Sequence, residues 1–296
     1  MKTRCGRICV TEKSATEVIG QGWYDIIRKP FTCKNMFKSD LFDGYSGFEE
    51  PPHRFTYQGR VPVVRNYING QIKSSKNIIC RKETVNHFIR NTLEGRPTTS
   101  YGQNGLAIYN IALNQTQING THVLVIGSRN PWEESIMLGL GAAHVSTVEY
   151  STIECNHPQI TTYTPPELDD AFLDGTLPVF DGVVSFSSIE HSGLGRYGDA
   201  LNPYGDLIAM ARAWCLVKDL GFALVGVPTG PDHIIFNVHQ VYGPLMYSHL
   251  FANWQQVYTN TDMSLFTSEG HRRNVRKGGY LQTVHLLRKN IALYNL

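Results

Sequence analysis

The 296-residue sequence predicts a doubly wound α/β domain from about Gly120 to the C-terminus, behind an N-terminal extension of residues 1–119. Two observations carry that prediction. After residue 120, short apolar runs alternate with longer amphipathic stretches, the pattern of strands and helices in a mostly parallel sheet covered on both faces. Before residue 120 the text is irregular, with Phe42 to Gly47 and Glu50 to His53 reading as loops around two helical patches, Glu83 to Leu93 and Gly105 to Asn114.

The first run, His122-Val123-Leu124-Val125-Ile126-Gly127, is continuous and rich in β-branched residues, as in a strand buried on both faces. Asn130-Pro131 predicts a helix start, with Asn as cap and Pro at the first helical position. That helix continues to the glycines Gly139 and Gly141. A second strand, His144 to Glu149, ends on an acid, and a weaker third is Gln159 to Tyr163. The fourth is Phe180 to Phe186. A helix from about Asp206 to Lys218 leads into a fifth strand, Phe222 to Pro228. Gln255 to Tyr258 and Tyr280 to Leu287 read as a closing pair. Right-handed crossovers make such a sheet doubly wound.

Composition bounds the function. Hydrophobic residues make up 42% and charged residues 18%, enough apolar material for a substantial core. The formal net charge of +2 implies no general attraction to nucleic acid. The short basic stretch His271 to Lys277 reads as a solvated loop. No apolar run is long enough to span a membrane, and the first residues lack the apolar core of a secretory signal, so a cytoplasmic placement is expected for the sequence as given, or the secretory-pathway lumen if a longer natural N-terminus exists. Two sequons, Asn114-Gln115-Thr116 and Asn119-Gly120-Thr121, accept glycan only on the secretory route. The six cysteines are scattered without a CxxC pair, so no metal site and free thiols are expected.

Ligands of such sheets bind at the carboxyl ends of the strands, beside the first strand. A dinucleotide site wants Gly-x-Gly-x-x-Gly, whereas here Arg129 and Trp132 stand where the second and third glycines belong. That argues against a nicotinamide or flavin dinucleotide. S-adenosylmethionine has no phosphate and carries a positive sulfonium and amino group, so its site accommodates carboxylates. Glu133 and Glu134 open the first helix, although acids there also complement a helix dipole. Glu149 stands about twenty residues beyond the glycine turn, placed to accept hydrogen bonds from ribose hydroxyls.

Val123 to Gly127, then Glu149, then Phe180 to Ser185 resemble the motif series of class I S-adenosylmethionine-dependent methyltransferases. More narrowly, Ile126 to Glu133, Ile189 to Asp199 and Asn237 to Pro244 resemble a family of uncharacterised proteins well represented in Caenorhabditis nematodes, itself taken to have a methyltransferase-like fold. The resemblance implies a seven-stranded Rossmann-like sheet and S-adenosylmethionine as cofactor, with Gly127, Ser128, Glu133, Glu149 and Ser185 as its binding residues. It implies no acceptor. The sequence departs from many methyltransferases where a Pro-Gly-Gly turn is replaced by Asp219-Leu220-Gly221.

The loop after the fourth strand faces the methyl group in this architecture. A hydroxyl acceptor must lose its proton, and His191 is the first candidate base, with the candidate catalytic Glu190 orienting it or contacting substrate. The glycine-rich loop Gly193 to Asp199 offers Arg196, Tyr197 and the candidate catalytic Asp199 to a polar small-molecule or glycan acceptor. His239 is a further candidate for acceptor binding. Each has a plainer reading: Arg196 and Asp199 pin their own loop, and Glu190-His191 packs locally. A fold retained for binding without turnover is the alternative function. The absence of Gly-x-Ser-x-Gly and of a phosphate loop counts against hydrolase and ATPase activities.

Overall fold

In the computed structural model, which describes residues 33–38, 55–65, 77–197, 199–262 and 280–289, seven strands form one mixed sheet. The strands are β3 (His122–Ile126), β4 (His144–Val148), β6 (Ile160–Tyr163), β7 (Phe180–Phe186), β8 (Val217–Thr229), β11 (Trp254–Thr259) and β12 (Leu281–Lys289), in the spatial order β11-β12-β8-β7-β3-β4-β6. The five from β6 to β8 are parallel, and β12 runs antiparallel to both β8 and β11. This is the seven-stranded, mostly parallel sheet expected from the sequence. The order reverses at β3, which pairs β4 on one side and β7 on the other, creating a switch point at its carboxyl end.

Alternate residues of each central strand enter different cores, which is why these strands read as unbroken apolar runs. Val123 and Val125 face one layer while Leu124 faces the other, and Val184 and Val183 divide in the same way. The Val123 side is covered by α2 (Lys82–Leu93), α3 (Leu106–Gln115) and α4 (Trp132–Gly139), through Val85, Ile108, Ile111, Ile136 and Met137. The Leu124 side is covered by α5 (Pro165–Leu173), α6 (Gly205–Leu216) and α7 (Pro244–Leu250), through Leu168, Leu207, Met210 and Met246. Two of the six covering helices thus come from the extension before residue 120. The short helix α1 (Cys33–Met36) lies on α6, where Arg212 Nε donates to the Met36 carbonyl at 2.7 Å.

Several local expectations need correction. Pro131, not Asn130, caps α4, with φ −73° and ψ 44°, and no side chain caps the helix. The Asn130 amide donates instead to Ser100 Oγ at 3.3 Å, while its carbonyl accepts the Trp132 N–H. Strand β8 starts at Val217, directly from α6, and is longer than predicted: pairing with β7 skips from Val217 to Phe222 over an irregular step in which Leu220 adopts φ +62°. Two small sheets were not foreseen. One holds β1 (Val63–Arg65), β9 (His233–Phe236) and β10 (His239–Val241), and the other pairs β2 (Ile78–Cys80) with β5 (Ile153–Cys155). The loops at 42–47 and 50–53 and the basic stretch at 271–277 lie outside the described residues.

The expectation of free thiols is overturned. Cys33 is bonded to Cys215 and Cys80 to Cys155, across sequence separations of 182 and 75, and no described cysteine is free. No spacing pattern announces such pairs, because each partner sits on an element that only the fold brings near. Cys33 lies on α1 against α6, and Cys80 and Cys155 are register partners in β2 and β5.

Candidate functional site

A cavity of about 250 Å³ opens at the carboxyl ends of β3, β4 and β7, at the switch point. Its floor is the turn after β3. Gly127 there has φ +80°, and a Cβ on it would lie 1.7 Å from Ser188 Oγ. Only glycine both adopts that backbone and admits the serine. Gly127→Ala is expected to cost about 2–4 kcal/mol, from left-handed strain and overpacking together. Urea unfolding measures it, and the additional change Ser188→Gly should recover the packing part; full stability in Gly127→Ala would refute the argument.

Two carboxylates flank this turn. Glu133, in the first turn of α4, is 1% exposed and lines the cavity. Burial, and then the neighbouring Glu134, pushes its carboxyl well above the usual range against one backbone N–H from Phe186. Its Oε1 has no hydrogen-bond partner among the described residues. Glu149 follows β4, is 8% exposed and lines the same cavity. Its Oε1 accepts the Ser151 N–H at 3.3 Å; burial raises its pKa, opposed by that bond and by Arg129.

The neighbouring acid points elsewhere. Glu134 faces the sheet, where Thr147 Oγ1 donates to it at 2.8 Å and Ser128 Oγ stands 2.9 Å away, and burial pushes it up to about 7. Ser128 lines the cavity but its hydroxyl also reaches the Asn130 carbonyl at 2.8 Å. Ser185 is not in the lining; its hydroxyl donates to the Ile126 carbonyl at 3.1 Å and braces β7 against β3. The next two serines, Ser187 and Ser188, reach the cavity instead. Ser187 has φ +55°, the bend that turns the chain from β7 into the 3-10 segment Ile189–His191.

His191 lines the same cavity. Its Nδ1 donates to the Val238 carbonyl at 2.5 Å, which leaves the lone pair on Nε2. Burial lowers its pKa to about 4, opposed by the Val238 contact and reinforced by Arg196 and His239. Nε2 stands 3.9 Å from Glu190 Oε1. Glu190 lies behind the histidine at 1% exposure; burial pushes it up to about 7, and Ser187 Oγ donates to it at 2.9 Å.

The glycine-rich loop is organised by Asp199. Its Oδ2 accepts the N–H groups of Gly193 and Gly195 at 2.7 and 3.1 Å, and Oδ1 accepts that of Tyr197 at 3.1 Å. Asp199 and Tyr197 reach the cavity, with the Tyr197 ring 5.1 Å from the His191 ring. Arg196 donates to the Val238 carbonyl at 3.3 Å, lies over the Tyr197 ring and is not in the lining. His239 also stands behind, its ring 6.1 Å from His191 and 5.0 Å from Tyr280.

Sequence reasoning expects the extension to cover the site but names none of its residues. Tyr101, from the extension, packs at 4.9 Å on Phe186 and 6.2 Å from Trp132, which meets Phe186 edge-on at 5.6 Å. Nothing local to Tyr101 signals this, since its partners are 31 and 85 residues away. Arg212, paired with Asp169 at 3.3 Å, adds a polar part of the lining. Among the described residues no group of His, Cys, Asp and Glu is arranged to hold a metal, and no helix is long and apolar enough to cross a membrane.

The family described as Caenorhabditis protein of unknown function, DUF268, matches residues 120–290. No curated protein sequence matches the chain. Solved structures similar to it include Burkholderia thailandensis 1,6-didemethyltoxoflavin-N1-methyltransferase with bound 1,6-didemethyltoxoflavin and S-adenosylhomocysteine, at 15% identity and a TM-score of 0.43, covering 70% of this chain and 87% of that one. An S-adenosylmethionine dependent methyltransferase from Mesorhizobium loti is similar at 11% identity and a TM-score of 0.39, covering 64% and 99%. The [4+2]-cyclase SpnF is similar at 12% identity and a TM-score of 0.36, covering 74% and 100%.

Proposed function

We propose, for a chain that belongs to the DUF268 family of Caenorhabditis proteins of unknown function, that the switch-point cavity binds S-adenosylmethionine and that the protein transfers its methyl group to a polar acceptor. One observation carries the reading: two buried carboxylates, Glu133 and Glu149, face one cavity on either side of a turn that lacks the glycines of a pyrophosphate cradle. A cationic, phosphate-free nucleoside fits that charge. In this reading Glu149 accepts from the ribose hydroxyls, and Glu133, whose Oε1 has no partner among the described residues, meets a cationic group. S-adenosylmethionine, when bound, supplies an electrophilic methyl group. Calorimetric titration should give heat with S-adenosylmethionine and with S-adenosylhomocysteine; folded protein that gives heat with neither would remove the cofactor.

The chain's own residues then supply alignment and a base. His191 Nε2, held as the free lone pair by the Val238 contact, takes the proton of an acceptor hydroxyl as the acceptor oxygen becomes nucleophilic. Glu190, touching His191 and not the cavity, is the positioning residue whose negative charge stabilises the imidazolium so formed. A small-molecule or glycan hydroxyl suits the polar rim of Tyr197 and Asp199. Because burial holds Glu190 near 7, it gains that charge as pH rises through about 7. The rate is therefore expected to rise across that range. Glu190→Gln should abolish the rise and lower kcat about tenfold, equivalent to one pKa unit, with cofactor Kd unchanged. An unaltered pH profile in the variant would exclude the role.

A second reading has its own support. A histidine held near pKa 4 is a weak base, as suits a protein that binds the cofactor without turnover. Methyl transfer to a panel of hydroxyl acceptors, lost in His191→Ala while binding heat persists, would favour the enzyme.

A further inference from the structure

We infer that Asn119 carries an N-linked glycan and that the chain folds in an oxidising compartment of the secretory route. Two independent observations meet here. The first is that all four cysteines among the described residues are paired, joining α1 to α6 and β2 to β5. Such bonds form and persist where thiols are not kept reduced, so they argue against the cytoplasm.

The second is the setting of the Asn119-Gly120-Thr121 sequon. Thr121 N–H donates to the Ile118 carbonyl at 3.1 Å and Gly120 N–H to the Gly141 carbonyl at 2.8 Å, so the tripeptide sits in a surface turn just before β3. Asn119 is exposed, with its Oδ1 close to Gly141. The other sequon is less suited. Asn114 lies within α3 and its Nδ2 donates to the Asn110 carbonyl at 2.8 Å, while the Thr116 hydroxyl is buried. The geometry therefore selects Asn119.

Position makes the modification compatible with a working cavity. Asn119 lies at the amino end of β3 and the cavity at its carboxyl end. The strand between them spans roughly 16 Å, so a bulky polar chain at Asn119 leaves the mouth clear. In the modification, the Asn119 amide nitrogen bonds to the anomeric carbon of a lipid-linked oligosaccharide pyrophosphate. The carbon–oxygen bond to the pyrophosphate breaks, the lipid pyrophosphate leaves with that electron pair, and the amide proton is released.

The inference is independent of what the cavity binds. The native protein, isolated from its source tissue, is to be treated with peptide N-glycosidase and its tryptic peptides weighed. Conversion of Asn119 to aspartate is expected; a peptide with unmodified asparagine there overturns the proposal. In animal cells secreting the chain, Asn119→Gln and Thr121→Ala should each remove one glycan's mass shift on a gel, and Thr121→Ser should keep it. Mobility unchanged by Asn119→Gln would equally overturn it. Calorimetric heat with S-adenosylmethionine should be the same for Asn119→Gln and the parent.

Discussion

Glu149→Ala is expected to weaken S-adenosylmethionine binding by roughly a hundredfold while leaving the fold intact. A hydrogen bond to a charged group contributes about 1.5–3 kcal/mol, and a carboxylate at this place can accept two from a ribose. The side chain has little structural work in the protein alone. Its described hydrogen bonds come from the backbone just after it, the Ser151 N–H among them, and burial opposes its charge. Thermal unfolding of the variant should therefore stay close to that of the parent. The raised pKa adds a second signature: ionisation, and with it affinity, is gained as pH rises above the ordinary carboxylate range. Glu149→Gln, which keeps one acceptor oxygen, should fall between parent and alanine. Calorimetry on the three proteins decides it, and equal Kd values would dismiss Glu149 from the site.

Reduction of the disulfides should have the largest effect on stability. Cys33–Cys215 joins residues 182 apart, and the loop-closure relation puts the stabilisation from such a crosslink at about 5 kcal/mol. That is comparable with the whole stability of many domains. The pair also fastens α1 to α6. Met36 and Phe37 are both 1% exposed, Phe37 stacks on Phe172 at 3.9 Å, and the Met36 carbonyl receives Arg212 Nε. Arg212 lines the cavity, so loss of the crosslink should loosen a wall of the site as well. Urea unfolding with and without a thiol reductant, and of Cys33→Ser, should show a lowered midpoint. An unchanged midpoint with thiol titration confirming reduction would count decisively against the pairing.

Much of the seven-stranded sheet was legible because its signals are local. Unbroken apolar strands, a glycine at a strand end and an acid at the next strand end are each set by a few neighbouring residues. They placed β3, β4, β7, the closing pair β11–β12, and the line Gly127–Glu149 on which the candidate cavity is built. Glu133 is legible from its place in a first helical turn; that it lines the cavity while Glu134 bonds to Thr147 of the sheet depends on how α4 packs against β4.

What the sequence by itself determined was the alternation that makes the doubly wound sheet and hence the edge at which the candidate cavity opens. Side-chain period and strand length act within one element, so they can be read in order. The tertiary structure alone decided the cysteine pairing, the arrival of Tyr101 beside Phe186 and Trp132, the removal of Ser185 to a bracing role, and the tautomer of His191. Each is a contact between residues remote in sequence, fixed only when the two cores close around the sheet.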